Sequence, residues 1–166
     1  MKVNGLKTDF APVRTEGTQI VICYGLNQVE GDLYEWHEIY LPKTQNANLS
    51  LDIVKTAILN DINSRVKTAI ISGFVWNEKP VWLSEENQLN FSQAVVPVTL
   101  KIGEEEDGTP IYHQFDTAED LKAFSDACNA WKQQCLTAGY AEKDSIDWEP
   151  YQKLFTDETP TAEAEE

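Results

Sequence analysis

The segments with strand character in this sequence occur in adjacent pairs, and this pairing constrains the fold more than any other feature. The pairs are 18–26 with 33–41, 74–76 with 81–83, and 97–102 with 111–115. A short polar or glycine-bearing stretch separates the members of each pair. Antiparallel strands need only such a turn, whereas parallel strands need a crossover of a dozen or more residues. The sequence therefore predicts an α+β fold built from antiparallel β-hairpins.

Two long segments carry the apolar spacing of amphipathic helices. In the first, apolar residues at spacings of three and four run from Ile53 to Ile70, after Ser50 as an N-cap. In the second, Thr117 is the N-cap and Gly139 is the expected stop. We expect the hairpins to pack against these two helices, at about 50–72 and 117–138. Shorter helices are expected at 84–94 and within 147–155.

Composition changes along the chain predict three regions. Residues 1–48 form an N-terminal β-hairpin region, with a weaker edge-strand signal at 3–10, and residues 49–155 form an α+β domain. Residues 156–166, TDETPTAEAEE, contain five acidic residues and no apolar anchor. Such a segment has too little apolar surface to offset the entropy of ordering, so we expect an acidic disordered tail.

The charge of the chain excludes several classes of partner. Twenty-eight acidic residues against 13 basic residues give a formal charge of -15. This charge repels phosphate backbones and anionic lipids, so we expect no nucleic-acid partner and no membrane association. The first ten residues, MKVNGLKTDF, contain no apolar signal segment. We therefore expect the mature chain to begin in a cytoplasm.

The residues that usually carry chemistry are few and scattered. The chain has two histidines, His37 and His113, and three cysteines without metal-ligand spacing, Cys23, Cys128 and Cys135. No phosphate-binding loop or hydrolase motif occurs. The acidic loop 104–107 has two interpretations, a solvated hairpin tip or a cation site. These features predict a protein that is not an enzyme and that has no cofactor or metal.

Aromatic residues are the remaining candidates for function. Alternation over 33–41 places Tyr34, Trp36 and Tyr40 on one strand face, and Trp76 and Trp82 flank the second hairpin. Exposed aromatic residues of this kind form the cores of protein interfaces. We therefore interpret Tyr34, Trp36, Tyr40, Trp76 and Trp82 as a candidate protein interface. The alternative is a monomer in which the chain covers both faces of its own sheet.

A pattern over the first half of the α+β region resembles a known family. Its residues are Ile58, Ile62, Arg65, Gly73, Phe74, Trp76, Val81, Trp82, Leu83, Ser84, Glu86, Asn87, Gln88 and Asn90. Two later stretches, 101–117 and 138–148, continue the likeness. Over about 55–150 the chain resembles an uncharacterised domain of tailed bacteriophages and prophages, particularly those of Bacteroides and of the crass-like gut phages.

The resemblance implies a role in the phage particle, because that family is encoded near tail-fibre and virion structural genes. It implies a non-enzymatic virion accessory protein, on head or tail, whose partners are other virion proteins or a second copy of itself. The implied location is the virion, after synthesis in the bacterial host cytoplasm. Two alternatives stay open: an acidic DNA-mimic inhibitor of a host enzyme, and a small phage hydrolase.

Removing residues 156–166 is expected to leave the melting temperature within a few degrees of the full chain. The deleted segment has no apolar anchor, and its removal also lowers the self-repulsion of an acidic chain. Thermal unfolding followed by circular dichroism measures the effect. A larger decrease would show that the tail is docked on the fold.

Overall fold

The computed structural model describes residues 1–156, which contain eight β-strands and four α-helices. The strands are β1 Lys2–Leu6, β2 Val13–Glu16, β3 Gln19–Glu30, β4 Leu33–Pro42, β5 Phe74–Trp76, β6 Lys79–Val81, β7 Val98–Glu104 and β8 Pro110–Phe115. The helices are α1 Leu51–Ser72, α2 Glu85–Gln93, α3 Ala118–Asp144 and α4 Glu149–Thr156. All strand pairs are antiparallel, which confirms the predicted α+β class. The rest of the predicted acidic tail, residues 157–166, lies outside the described residues.

The described chain divides into two compact units. Residues 1–62 together with those from 142 onward form the first, here called the N-terminal unit, and residues 63–141 form the central unit. The division falls inside α1 and α3, so each of these helices contributes to both units. The three regions expected from composition, 1–48, 49–155 and 156–166, stay a prediction about folding domains.

The N-terminal unit is built on a four-stranded sheet with the order β1-β4-β3-β2. The central pair is the predicted hairpin, but its strands are longer than expected. Strand β3 continues to Glu30 and only Gly31 and Asp32 form the turn, where the sequence predicts a turn over 27–32. Gly31 has a φ of 52°, and a two-residue hairpin turn favours glycine in this left-handed conformation.

Both faces of the sheet are buried at its centre. One face carries a cluster of Val21, Cys23 and Trp36, with Phe10 packed against it. The register places Ile20, Ile22 and Tyr24 on the opposite face, where they are 8% exposed or less. The hydroxyl of Tyr24 donates to Asp61 of α1, which ties the helix to that face.

The central unit contains the two shorter hairpins, and the first differs from its expected form. Asn77 and Glu78 have φ values of 50° and 64° and alone form the turn, because Lys79 and Pro80 belong to β6. The sequence predicts a four-residue loop over 77–80. The apolar cluster of this unit consists of Phe74, Val81, Leu83, Phe91, Ile102, Ile111, Phe115, Phe124 and Cys128.

The predicted helix starts are confirmed, and one predicted stop is wrong. The side-chain oxygens of Ser50, Ser84 and Thr117 each accept a backbone N–H three residues later. Helix α3 does not end at Gly139 but continues to Asp144. Gly139 is buried within the helix, where a Cβ atom would lie 2.4 Å from Val66 Cγ2. This glycine provides close packing rather than a helix end.

Gly139→Ala is expected to lower the free energy of unfolding by about 1 kcal/mol or more, because overpacking costs about 1–3 kcal/mol and outweighs the better helix propensity of alanine. In a Val66→Ala background the clashing methyl is gone, so the same change should stabilise the helix by up to about 1 kcal/mol. Urea unfolding of the four proteins measures both effects. An equal effect in the two backgrounds would contradict the packing explanation.

Candidate functional site

Three apolar side chains fall on the outer side of the β5–β6 hairpin when its strand alternation is continued to residue 82, and we call Val75, Pro80 and Trp82 the hairpin face. Val75 pairs with Pro80 in the strand register, and Trp82 follows Pro80 by two residues. Val75 is 60% exposed and Trp82 is 44% exposed. The alternation of an extended chain turns Val81 and Leu83 inward, where both are fully buried.

Hydrogen bonds to the N–H and to the carbonyl of Trp82 fix the backbone at this residue. Its N–H donates to the carbonyl of Ile102 at 2.8 Å, and its carbonyl accepts from Asn87 Nδ2 at 2.9 Å. The next residue, Leu83, donates its N–H to the carbonyl of Ile71 at 2.8 Å. An exposed indole on a fixed backbone loses little conformational entropy when a partner covers it.

The second tryptophan of this hairpin, Trp76, lies on the inner side. Its ring centroid is 4.9 Å from that of His113, 5.0 Å from that of Phe124 and 6.0 Å from that of Phe115. These edge-on and tilted contacts are typical of aromatic cores. The structure thus separates the two tryptophans: Trp76 stabilises the central unit, and Trp82 is left at the surface.

The three aromatic residues predicted on β4 occupy different environments. Trp36 is 3% exposed, and its ring covers Gly5 so closely that a Cβ atom there would lie 2.6 Å from Trp36 Cη2. Tyr34 is half-buried beside the same cluster. Tyr40 is 37% exposed. Of the five predicted interface residues, Tyr40 and Trp82 therefore present the most surface, and they lie in different units.

The same face of β4 contains a buried carboxylate that the sequence interpretation missed. Glu38 is 4% exposed, and its oxygens accept hydrogen bonds from Arg14, Trp36 and Tyr40, at 2.8 Å, 2.9 Å and 2.5 Å. Arg14 also donates to Glu16 and contacts the sulfur of Cys23. Glu38, a charged residue between the aromatic residues of one strand face, was the sequence signal for this cluster. Its partner Arg14 was not identified, because the sequence did not predict β2.

The hydrogen bonds of this cluster determine its protonation. Burial raises the pKa of Glu38, but the hydrogen bonds from Tyr40, Trp36 and Arg14 together lower the pKa by more than burial raises it. The pKa of Glu38 therefore lies below the ordinary value. The hydrogen bond to Glu38 raises the pKa of Tyr40 to about 12. Burial raises the pKa of Cys23 to about 11. The cluster is therefore an ionised pair beside a neutral thiol.

The other titratable candidates are not brought together. The three cysteines, all within the described residues, form no disulfide, and burial raises the pKa of Cys128 to about 12. A neutral buried thiol is a poor nucleophile. His37 stacks on Tyr24 and His113 contacts Trp76. Within residues 1–156 no group of three or more His, Cys, Asp or Glu side chains is arranged to hold a metal ion.

The acidic loop 104–107 uses part of its charge locally. Glu104 pairs with Lys101 at 2.5 Å, and Asp107 Oδ1 accepts the N–H of Thr109 at 2.9 Å. Gly108 donates its N–H to the carbonyl of Glu105. These contacts describe a hydrogen-bonded hairpin tip.

The helices of residues 1–156 include none with the length and apolar character needed to cross a membrane.

Glu38→Gln is expected to lower the free energy of unfolding by about 1–3 kcal/mol at pH 7, because Arg14 loses its buried counter-charge. The folded-state pKa of Glu38 lies below its unfolded value of about 4.3. Its contribution is therefore complete above the unfolded pKa and is lost as pH falls through the folded pKa. The difference from the parent should shrink below about pH 4.

Glu16→Gln is the matched control, since Glu16 also bonds to Arg14 but its side chain is 50% exposed. We expect it to change stability by less than about 0.5 kcal/mol. Chemical denaturation at several pH values measures both variants. Equal effects of the two changes, or a difference between Glu38→Gln and the parent that does not vary with pH, would contradict this account.

Comparison with known proteins adds a family without an assigned role. The model of a domain of unknown function, DUF4376, matches residues 53–165. No curated protein and no solved structure matches the chain. The family description names no activity, so the phage setting implied by the earlier resemblance stays a proposal. Because the match covers most of its length, this chain belongs to the DUF4376 family of domains of unknown function.

Proposed function

We propose that this chain is a non-enzymatic accessory protein of a bacteriophage virion, on head or tail, and that it acts by protein–protein contact. Its contact surface is the hairpin face of the central unit. The observation that carries the proposal is Trp82, which is 44% exposed although it sits on a backbone fixed by hydrogen bonds. Large aromatic side chains in such positions dominate binding energies at protein interfaces.

The surroundings of Trp82 support contact with a protein. Val75 and Pro80, which pair with each other across the hairpin, add apolar side chains on the same side, and Asn77 and Glu78 form its two-residue turn with positive φ values. Apolar residues exposed together on a rigid hairpin are typical of a binding surface, whereas singly exposed apolar residues are ordinary. The charge of -15 disfavours nucleic acid as the partner.

The virion setting is supported by sequence alone. Residues 58–91 and the two later stretches resemble proteins encoded near tail-fibre and virion structural genes. On this proposal the chain is made in the bacterial cytoplasm and is then incorporated into the particle. Its partner is another virion protein, and self-association is the alternative arrangement. Buried thiols with raised pKa values favour a contact role over a hydrolase that would use a cysteine nucleophile.

Incorporation into particles tests the proposal. Mass spectrometry of purified phage particles whose genome encodes the chain should detect it at a fixed ratio to the structural proteins. Trp82→Ala should reduce that ratio by about tenfold or more, because loss of a hot-spot aromatic costs at least about 2 kcal/mol of binding energy. The melting temperature of the variant should stay within a few degrees of the parent.

Leu154→Ala is the matched control, since Leu154 is 47% exposed but lies on α4 in the N-terminal unit. This variant should be incorporated like the parent. Absence of the parent protein from purified particles would overturn the virion role. Normal incorporation of Trp82→Ala would overturn the assignment of the hairpin face while leaving the virion role in place.

A further inference from the structure

A groove of about 400 Å³ lies between α2 and α3 of the central unit. In each helix, four of the lining residues follow the spacing i, i+3, i+4 and i+7, starting at Glu85 in α2 and at Ser125 in α3. Residues at this spacing form one stripe along a helix surface. Phe91 of α2 and Leu83, which precedes α2, complete the lining. The volume lies within the range of about 300–1,000 Å³ that is usual for small-molecule sites.

The base of the groove is apolar. Leu83 is fully buried, and Phe91 and Cys128 are almost fully buried. The ring of Phe91 packs edge-on against that of Phe124, with centroids 5.0 Å apart, so contacts of the core fix its position. Leu89 is exposed and adds an apolar surface at the side. This part of the groove suits a compact apolar group that covers Leu89 when it binds.

Lys132 brings a positive charge to this groove. Its side chain is half-buried, and its Nζ donates to Gln88 Oε1 at 2.6 Å. The amide nitrogen of Gln88 donates in turn to the carbonyl of Leu83, so Gln88 holds the ammonium group in place. An ammonium group has three N–H donors. Since Gln88 takes one of them, Lys132 retains donors for a ligand.

The charge of Lys132 is not neutralised by a carboxylate. Among the ion pairs of residues 1–156, none includes Lys132. Glu85 is the acidic residue of the lining, but its side chain is 92% exposed and lies 3.9 Å from Nζ of Lys67. Solvent screens a charge in such a position strongly.

The charge of Lys132 also reaches the base of the groove. Burial raises the pKa of the Cys128 thiol to about 12, and the positive charge of Lys132 opposes this increase. The ammonium group therefore favours a negative charge on the buried side of the groove.

Asn129 adds a neutral donor on the same stripe of α3, about one helical turn before Lys132. Its side chain is exposed and forms no hydrogen bond with the other residues of 1–156. Its amide nitrogen can therefore donate to an oxygen atom that is bound at Lys132. A charged and a neutral donor beside an apolar base match a carboxylate attached to an apolar group.

We propose that this groove binds a small organic anion, with its carboxylate at Lys132 and Asn129 and a compact apolar body against Leu83, Leu89 and Phe91. Salt largely screens the repulsion from acidic residues that lie more than about 10 Å away, whereas the contact with Lys132 is direct. No residue of the hairpin face lines the groove, and binding needs no virion partner. A failure of one proposal therefore leaves the other unchanged.

Two probes with the same apolar body and opposite charge test the ligand class. They are 4-phenylbutyrate, which carries a carboxylate, and 4-phenylbutylamine, which carries an ammonium group. Isothermal titration of the full chain at pH 7 should give a dissociation constant for 4-phenylbutyrate at least about tenfold lower than for the amine. Equal or tighter binding of the amine, or no binding of 4-phenylbutyrate at millimolar concentration, would overturn the proposal.

Lys132→Gln tests the charge, because glutamine retains a donor for Gln88 without the positive charge. It should weaken binding of 4-phenylbutyrate by about fivefold or more and leave binding of the uncharged 4-phenylbutanamide unchanged. Lys132→Arg retains the charge and should bind 4-phenylbutyrate within about threefold of the parent. Lys122→Gln is the matched control, since Lys122 lies on the same helix, outside the lining, with a side chain that is 74% exposed. Binding of 4-phenylbutyrate by Lys132→Gln at the parent's affinity would contradict the proposed recognition of an anion.

A filling variant locates the binding. Asn129→Trp should occupy the groove and weaken binding of 4-phenylbutyrate by about tenfold or more. Gln134→Trp is its matched control, because Gln134 is also an exposed amide residue of α3 but does not line the groove. The control should bind like the parent, and both variants should melt within a few degrees of it. Unchanged binding by Asn129→Trp would place any site for the probe elsewhere and overturn the assignment.

Discussion

The hydrogen bonds to the buried carboxylate of Glu38 are the interactions on which the N-terminal sheet depends. The carboxylate accepts hydrogen bonds from Arg14 of β2 and from Trp36 and Tyr40 of its own strand, so it joins an edge strand to the centre of the sheet. A charge at 4% exposure is tolerated only with such partners. Removing one partner would leave an uncompensated group, whereas the complete set fixes which residues of β2 and β4 lie together.

The two units differ in what they offer to a partner. In the N-terminal unit, Trp36 and the other central residues of the sheet are enclosed by the chain itself. In the central unit, Trp76 completes an aromatic core while Trp82 stays at the surface. Aromatic residues that look equivalent in the sequence therefore have two separate physical roles, stabilisation of a core and presentation of a rigid surface.

The elements with local signals were predictable from the sequence. The caps at Ser50, Ser84 and Thr117 and the paired strands follow from short-range chemistry, and all were confirmed. The features that the sequence did not predict correctly depend on contacts between residues that are far apart in the chain. Gly139 has the local signature of a helix stop, but its lack of a side chain is needed for packing on Val66. The pairing of Arg14 with Glu38 links positions 24 residues apart, and no local pattern indicates it.

Cross-linking within intact particles tests the central claim, contact through the hairpin face, most directly. A photoreactive amino acid placed at Val75, which lies on the hairpin face and is 60% exposed, should form a cross-link to one defined virion protein in assembled phage. The same group at Lys153, exposed on α4 of the N-terminal unit, should not. Cross-links from position 153 alone, or from neither position in particles that contain the protein, would contradict the account.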